Sequence, residues 1–187
     1  MTAAISSYIG QLATGAACGL ADFLFCTTTQ KICTLAGVRF EEIEDEDDIP
    51  SSERLDKQFW DMVVKYPIGE ELIFRGLLQP FLSKGLLVCM PQLAAPGLWD
   101  IPIANTVSAV AIGTGFGVLH YFGYKSGGKQ VALMGSVSGS FYGIIKERFG
   151  LATSISAHMI HNFMVGWLDK HYPSFLGDTS PNDPLKN

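Results

Sequence analysis

A chain of 187 residues that is 48% hydrophobic and only 17% charged departs from ordinary soluble domains, in which about a quarter of residues carry charge. Its net charge of −5 hides an asymmetry, because nine of the 18 acidic residues lie between Glu41 and Asp56; what remains is mildly basic, with no concentrated stripe that would call for nucleic acid as a partner. An integral membrane protein whose surroundings are lipid is the class this composition favours.

The first apolar stretch runs uncharged from Met1 to Ala21 and resumes after Asp22 as far as Gln30. It lacks a basic region in front of it, so it is read as a retained membrane segment, 1–40, and not as a cleaved signal. Cys18, Cys26 and Cys33 recur along it; with Cys89 they form no C-x-x-C pair and are read as buried packing thiols, neither disulfide partners nor metal ligands. The acidic segment that follows, 41–65, reads as an extramembrane linker. From Tyr66 an apolar helical stripe continues to Trp99 with Pro67 expected in its first turn, and Pro91, Pro96 and Gly97 predict a break or re-entrant connection. Ile101 to Tyr124 is the clearest membrane helix. The loop from Lys125 to Lys129 and the run Gln130 to Ile145 complete a helical hairpin. Phe149 to Leu168 is a further span. The expected fold is all-α, a multi-pass transmembrane bundle of about five or six membrane helices, with a membrane core at 66–170 and a polar tail at 171–187. Trp60, Trp99 and Trp167 fall near span ends, where aromatic side chains anchor at the interface.

Three polar clusters interrupt this apolar background. Glu70, Glu71 and Arg75 lie in one helix, where each charge costs about 2.5 to 3.5 kcal/mol on insertion scales. Glu71 and Arg75 stand four apart, acid first, and can compensate each other. Glu70 points about 100° away and is left without that partner, which suits a general base. His120 sits on the most hydrophobic helix, preceded by Gly113, Gly115 and Gly117, which permit close helix contact. His158 and Asn162 share one face of the last helix. None of these groups can hydrogen-bond to lipid, so they are expected to meet inside the bundle. A glutamate and a histidine sharing a water, opposite a histidine and an asparagine that bind an oxyanion, suffice for peptide hydrolysis.

The succession E-E-x-x-x-R at Glu70–Arg75, F-x-x-x-H at Phe116–His120 and H-x-x-x-N at His158–Asn162, with "GEELIFRGLLQPFL" and "AHMIHNFMVG" around it, resembles the family of CAAX proteases and bacteriocin-processing enzymes that includes the type II CAAX prenyl endopeptidases. The resemblance covers roughly half the chain and leaves out its amino-terminal third. It implies that Glu70 and His120 position and deprotonate the attacking water, that His158 and Asn162 bind the oxyanion, and that Glu71 and Arg75 shape the site. The implied substrate is a peptide or lipidated protein, either a CAAX-type prenylated protein or a leader peptide. The family is often labelled metallo-, but H-E-x-x-H is missing and the Glu, His, His, Asn set matches the usual zinc donors poorly. No metal or other cofactor is therefore expected, with zinc as the alternative. His161 is read as supporting or packing, and His171 as a solvated surface residue.

Two other classes compete. A non-catalytic membrane scaffold or bacteriocin-immunity protein of the same family would keep the Glu71–Arg75 pair but has little use for a second, unpaired acid. A transporter or proton relay would also bury Glu and His, yet it predicts related halves, and no internal repeat is present.

Overall fold

A computed structural model describes residues 2–36, 44–45 and 54–171. The polar tail beyond residue 171 and most of the acidic segment lie outside the described residues. Five long helices account for nearly all of the rest. They are α1 (Thr2–Leu35), α2 (54–89), α3 (Ile103–Tyr121), α4 (Gly128–Phe149) and α5 (Leu151–His171). A short antiparallel pairing of Glu44–Asp45 with Tyr124–Ser126 and an isolated bridge between Pro96 and Pro102 are the extended contacts among the described residues.

Burial runs opposite to that of a water-soluble protein. The largest fully buried side chains include Arg75, Tyr142, Gln79 and Glu71, while Leu72, Ile73, Leu77, Phe81 and Val88 of α2 and Val107, Val110, Val118 and Leu119 of α3 are exposed. Polar groups gathered inside and aliphatic groups turned outward suit a hydrocarbon surrounding, where backbone and side-chain polar atoms must find partners within the protein. Ser6–Leu35, Lys57–Cys89 and Ile103–Tyr121 are each long and apolar enough to cross a membrane. The helices α4 and α5, of 22 and 21 residues, have the length for a crossing, about 30 Å at 1.5 Å per residue, without that apolar content; serines and a charged end at Lys146–Arg148 dilute α4.

Close backbone approach organises the bundle. The antiparallel hairpin of α3 and α4 closes where Gly113 lies against Gly139 and Ser140 and Gly117 against Ala132 and Ser136; Gly115 faces open space and takes no part. On the other side α1 runs parallel to α5. Gly15 rests on the backbone of Thr153, and Gly19 on that of Ala157, which is a G-x-x-x-G contact of the kind that lets two membrane helices touch without intervening side chains. Gly150, at φ +98, makes the turn from α4 to α5 that a Cβ would strain. Replacing Gly117 by valine would drive a Cβ into the Ala132 carbonyl; it is expected to cost about 1–3 kcal/mol through overpacking, seen as earlier thermal unfolding in micelles, whereas Gly115→Val should leave the midpoint within a degree or two.

The helix α2 lies across both pairs. Its first half packs on α5 and its second half on the hairpin. Pro67 is not in a first turn, because the helix has already run from Arg54. A proline inside a helix gives no N–H to the carbonyl four residues back and crowds it; here the π-helical stretch Asp61–Lys65 directly precedes the turn that holds Pro67 and widens the helix there. A second π-helical stretch, Leu72–Leu78, follows Glu71 and contains Arg75. The break expected after Cys89 is present as two 3₁₀ turns, Pro91–Ala94 and Leu98–Asp100.

Candidate active site

The three polar clusters converge. On α2, Glu71 is fully buried and its carboxylate lies 3.6 Å from the Arg75 Nε, also fully buried. The Arg75 guanidinium extends past Glu71, donates from Nη2 to the Gly139 carbonyl at 2.7 Å, and stacks 5.0 Å from the centre of the Phe116 ring. One cation is thus tied at once to α2, α3 and α4. The other oxygen of Glu71, Oε1, lies 3.2 Å from Nδ1 of His158 on α5.

Glu70 is not left alone. Reading one helix at a time makes it unpaired, but α3 and α5 bring an imidazole to each of its oxygens: His158 Nε2 lies 3.6 Å from Oε2, and His120 Nε2 lies 4.0 Å from Oε1. Hydrogen bonding orients both rings. The Phe116 carbonyl can only accept, so the His120 Nδ1 at 2.8 Å from it carries a hydrogen. The His158 Nδ1 donates to the Glu71 carboxylate in the same way. Both histidines therefore turn Nε2 toward Glu70. The His158 ring is further held between the face of Tyr142, stacked at 5.0 Å and 25°, and the edge of the Phe116 ring at 5.8 Å.

Access differs within this group. The side chains of Glu70 and His120 are 30% and 31% exposed, whereas His158 is at 7% and Glu71 and Arg75 at 0%. A small molecule or peptide arriving from outside meets Glu70 and His120 first, backed by a rigid inner layer. Asn162 stands one turn beyond His158 on α5; its Nδ2 donates to the Met62 carbonyl at 3.0 Å, within the first π-helical stretch of α2. One N–H of the amide is committed there, and the amide retains a second.

Glu70, His120 and His158 offer a carboxylate and two imidazoles, donors that zinc accepts. Their ligand atoms do not gather to ligand spacing: among the described residues, the group of three such donors within 4.8 Å of one another is Asp22, Cys26 and His161. The Glu70 group is not gathered at that spacing, and no step is routed through a metal there.

Several interior groups escaped the sequence reading. Asp22, which merely interrupted an apolar run, is buried, pairs with His161 at 2.8 Å, and accepts hydrogen bonds from Tyr142 at 2.7 Å and Ser138 at 3.0 Å. Gln79, Asn105 and Glu147 form a second network, in which Glu147 accepts from Gln79 at 2.9 Å, Asn105 at 2.6 Å and Lys146 at 2.6 Å, and Ser83 donates to Asn105. Of the four free cysteines only Cys26 is buried; Cys18 and Cys33 are half-buried and Cys89 is exposed, so the uniform reading as buried thiols is corrected. His171 is exposed beside Trp167, the rings 5.1 Å apart. An acid four residues before a cysteine, and a G-x-x-x-G just upstream, were the signals available for α1.

Residues 58–164, more than half of the chain, match the family of Type II CAAX prenyl endopeptidase Rce1-like proteins. The chain belongs to that family. The matched segment contains Glu70, Glu71, Arg75, His120, His158 and Asn162 and begins after α1 has ended. Neither the curated proteins nor the solved structures include a match to the chain. Membership in the Rce1-like family makes this a CAAX-type intramembrane protease at the family level, and the three apolar helices agree with a membrane protein.

Proposed function

We propose that this Rce1-like chain hydrolyses a peptide bond close to the membrane by a metal-free mechanism in which Glu70 activates water. The observation that carries this reading is the placement of Glu70, accessible from outside, between two imidazoles whose Nδ1 atoms are both tied down and whose Nε2 atoms both face it. A scaffold would need the buried Glu71–Arg75 pair but would gain nothing from an open glutamate flanked in this way.

The chemistry follows from the donors and acceptors. A water between Glu70 and His120 gives its proton to the Glu70 carboxylate as its oxygen bonds to the scissile carbonyl carbon. The electron pair moves onto the carbonyl oxygen, where Asn162 from its second N–H and His158, carrying a hydrogen on Nε2 as well as the one on Nδ1 that bonds to Glu71, supply hydrogen bonds to the oxyanion. Collapse of the tetrahedral intermediate breaks the C–N bond, and the proton held by Glu70 passes to the leaving amine. The Glu71–Arg75 pair fixes the His158 ring through Nδ1 and neutralises charge in the interior. All five long helices cross the bilayer in this reading. The substrate is a CAAX-type prenylated protein or a leader peptide.

A panel of quenched peptides, farnesylated CAAX and unmodified leader-like, presented to the protein in liposomes tests this directly. Cleavage of at least one class is expected, unchanged within about twofold after a chelator and reduced by about 10²-fold or more in His120→Ala, the range typical of an acid–base partner. Loss of cleavage on chelation alone would overturn the metal-free mechanism.

A further inference from the structure

The amino-terminal helix lies outside the family segment, yet it delivers a buried carboxylate to within two side chains of the proposed site. Asp22 accepts the Tyr142 hydroxyl at 2.7 Å on Oδ2 and the Ser138 hydroxyl at 3.0 Å on Oδ1, with His161 Nδ1 at 2.8 Å and the Cys26 thiol at 3.9 Å. The donor types Asp, Cys and His would suit a metal. However, 2.8 Å between the Asp22 and His161 atoms is shorter than the roughly 3.3 Å that separates two ligands of a tetrahedral zinc at about 2.0 Å each. Both oxygens already have hydroxyl donors, so the cluster is a hydrogen-bonded carboxylate with the His161 ring against it. Its purpose is seen one ring further on. The Tyr142 that Asp22 holds by its hydroxyl is almost fully buried, and its face is stacked on His158 at 5.0 Å. The Gly15 and Gly19 contacts with Thr153 and Ala157 seat α1 on α5 in the turn before His158.

We propose that Asp22 is a positioning residue for the hydrolytic site, holding the Tyr142 ring by its hydroxyl so that the ring fixes the imidazole of His158 between Glu70 and Glu71. The proposal rests on the reading of His158 as an oxyanion-binding group. A stacked ring with a free para position slides and tilts; a ring pinned at its hydroxyl by a carboxylate from another helix does not. Asp22 thereby makes α1 a working part of a site whose other members lie on α2, α3, α4 and α5.

The test uses the full chain in micelles and two readouts. The first is the imidazole proton of His158 that bonds to Glu71, followed by NMR in protein labelled with ¹⁵N-histidine and assigned with a His158→Gln control. The second is turnover of a farnesylated CAAX peptide. In wild type the Nδ1–H signal should be sharp and shifted downfield. In Tyr142→Phe and Asp22→Ala it should broaden or vanish, with kcat lower by about tenfold, the kinetic equivalent of one lost hydrogen bond, and KM within about twofold. Cys26→Ala, which removes the thiol beside Asp22 and Ser138 but keeps the Tyr142 hydroxyl on Asp22, should leave both readouts near wild type. An unchanged His158 signal in both Tyr142→Phe and Asp22→Ala overturns the proposal, and so does a Cys26→Ala loss as large as theirs, which would mean general loosening. The NMR readout needs no turnover, so it decides the positioning role even if wild type cleaves no peptide, a result that would count against the hydrolytic reading alone.

Discussion

Glu70→Gln is expected to reduce cleavage of any accepted peptide by about 10²- to 10⁴-fold while leaving the protein folded. The substitution keeps the shape of the side chain and an oxygen that accepts from water, and removes the capacity to take a proton. Because the Glu70 side chain is 30% exposed and its neighbours lie at 3.6 and 4.0 Å, the amide does not strand a deeply buried charge, and the thermal midpoint should move little. Glu71→Gln provides the contrast. That side chain is fully buried against Arg75 and His158, so its loss should appear in stability as well as in rate. A parallel assay of the two variants, with unfolding followed in the same micelles, separates chemistry from architecture. Full activity in Glu70→Gln would remove the glutamate from the mechanism and restore the scaffold reading.

What could be read from the chain in advance was whatever a single helix records in its own spacing. The Glu71–Arg75 pair is a four-residue interval, the α3–α4 hairpin is two apolar runs around a glycine-rich loop, and each polar cluster on an apolar helix demands partners because lipid offers none. The motif order then allowed those partners to be named. Relations that need two helices at once were not legible. Glu70 looked unpaired because its imidazoles are supplied by α3 and α5. Asp22 looked like an interruption because Tyr142, Ser138 and His161 are more than a hundred residues away in sequence. The π-helical stretches carry no simple composition; the first shows its use only in the fold, where it precedes the turn holding Pro67 and its Met62 carbonyl accepts from Asn162. Gln79, Asn105 and Glu147 are ordinary residues until the helix ends that carry them meet.

The Arg75 cation makes the strongest demand on the fold. Arg75→Met is expected to destabilise the protein by about 3–5 kcal/mol, because it leaves the Glu71 carboxylate inside the bundle with no cation. Arg75→Lys should restore only part of this: a lysine carries the charge but lacks the planar fork that reaches Glu71 and the Gly139 carbonyl together and stacks on Phe116. The informative variant is the double substitution Glu71→Leu with Arg75→Met. Replacing both members of a buried pair by apolar groups of similar size is often neutral or stabilising, so most of the lost stability should return. Activity should not, since the His158 Nδ1 would then face a hydrocarbon where it now faces a carboxylate. Thermal unfolding and peptide turnover measured on all three variants would show a stability that recovers while the rate stays low. If the double variant regained both, Glu71 and Arg75 would have only a packing role, and the orientation of His158 would have to come from Tyr142 and Phe116 alone.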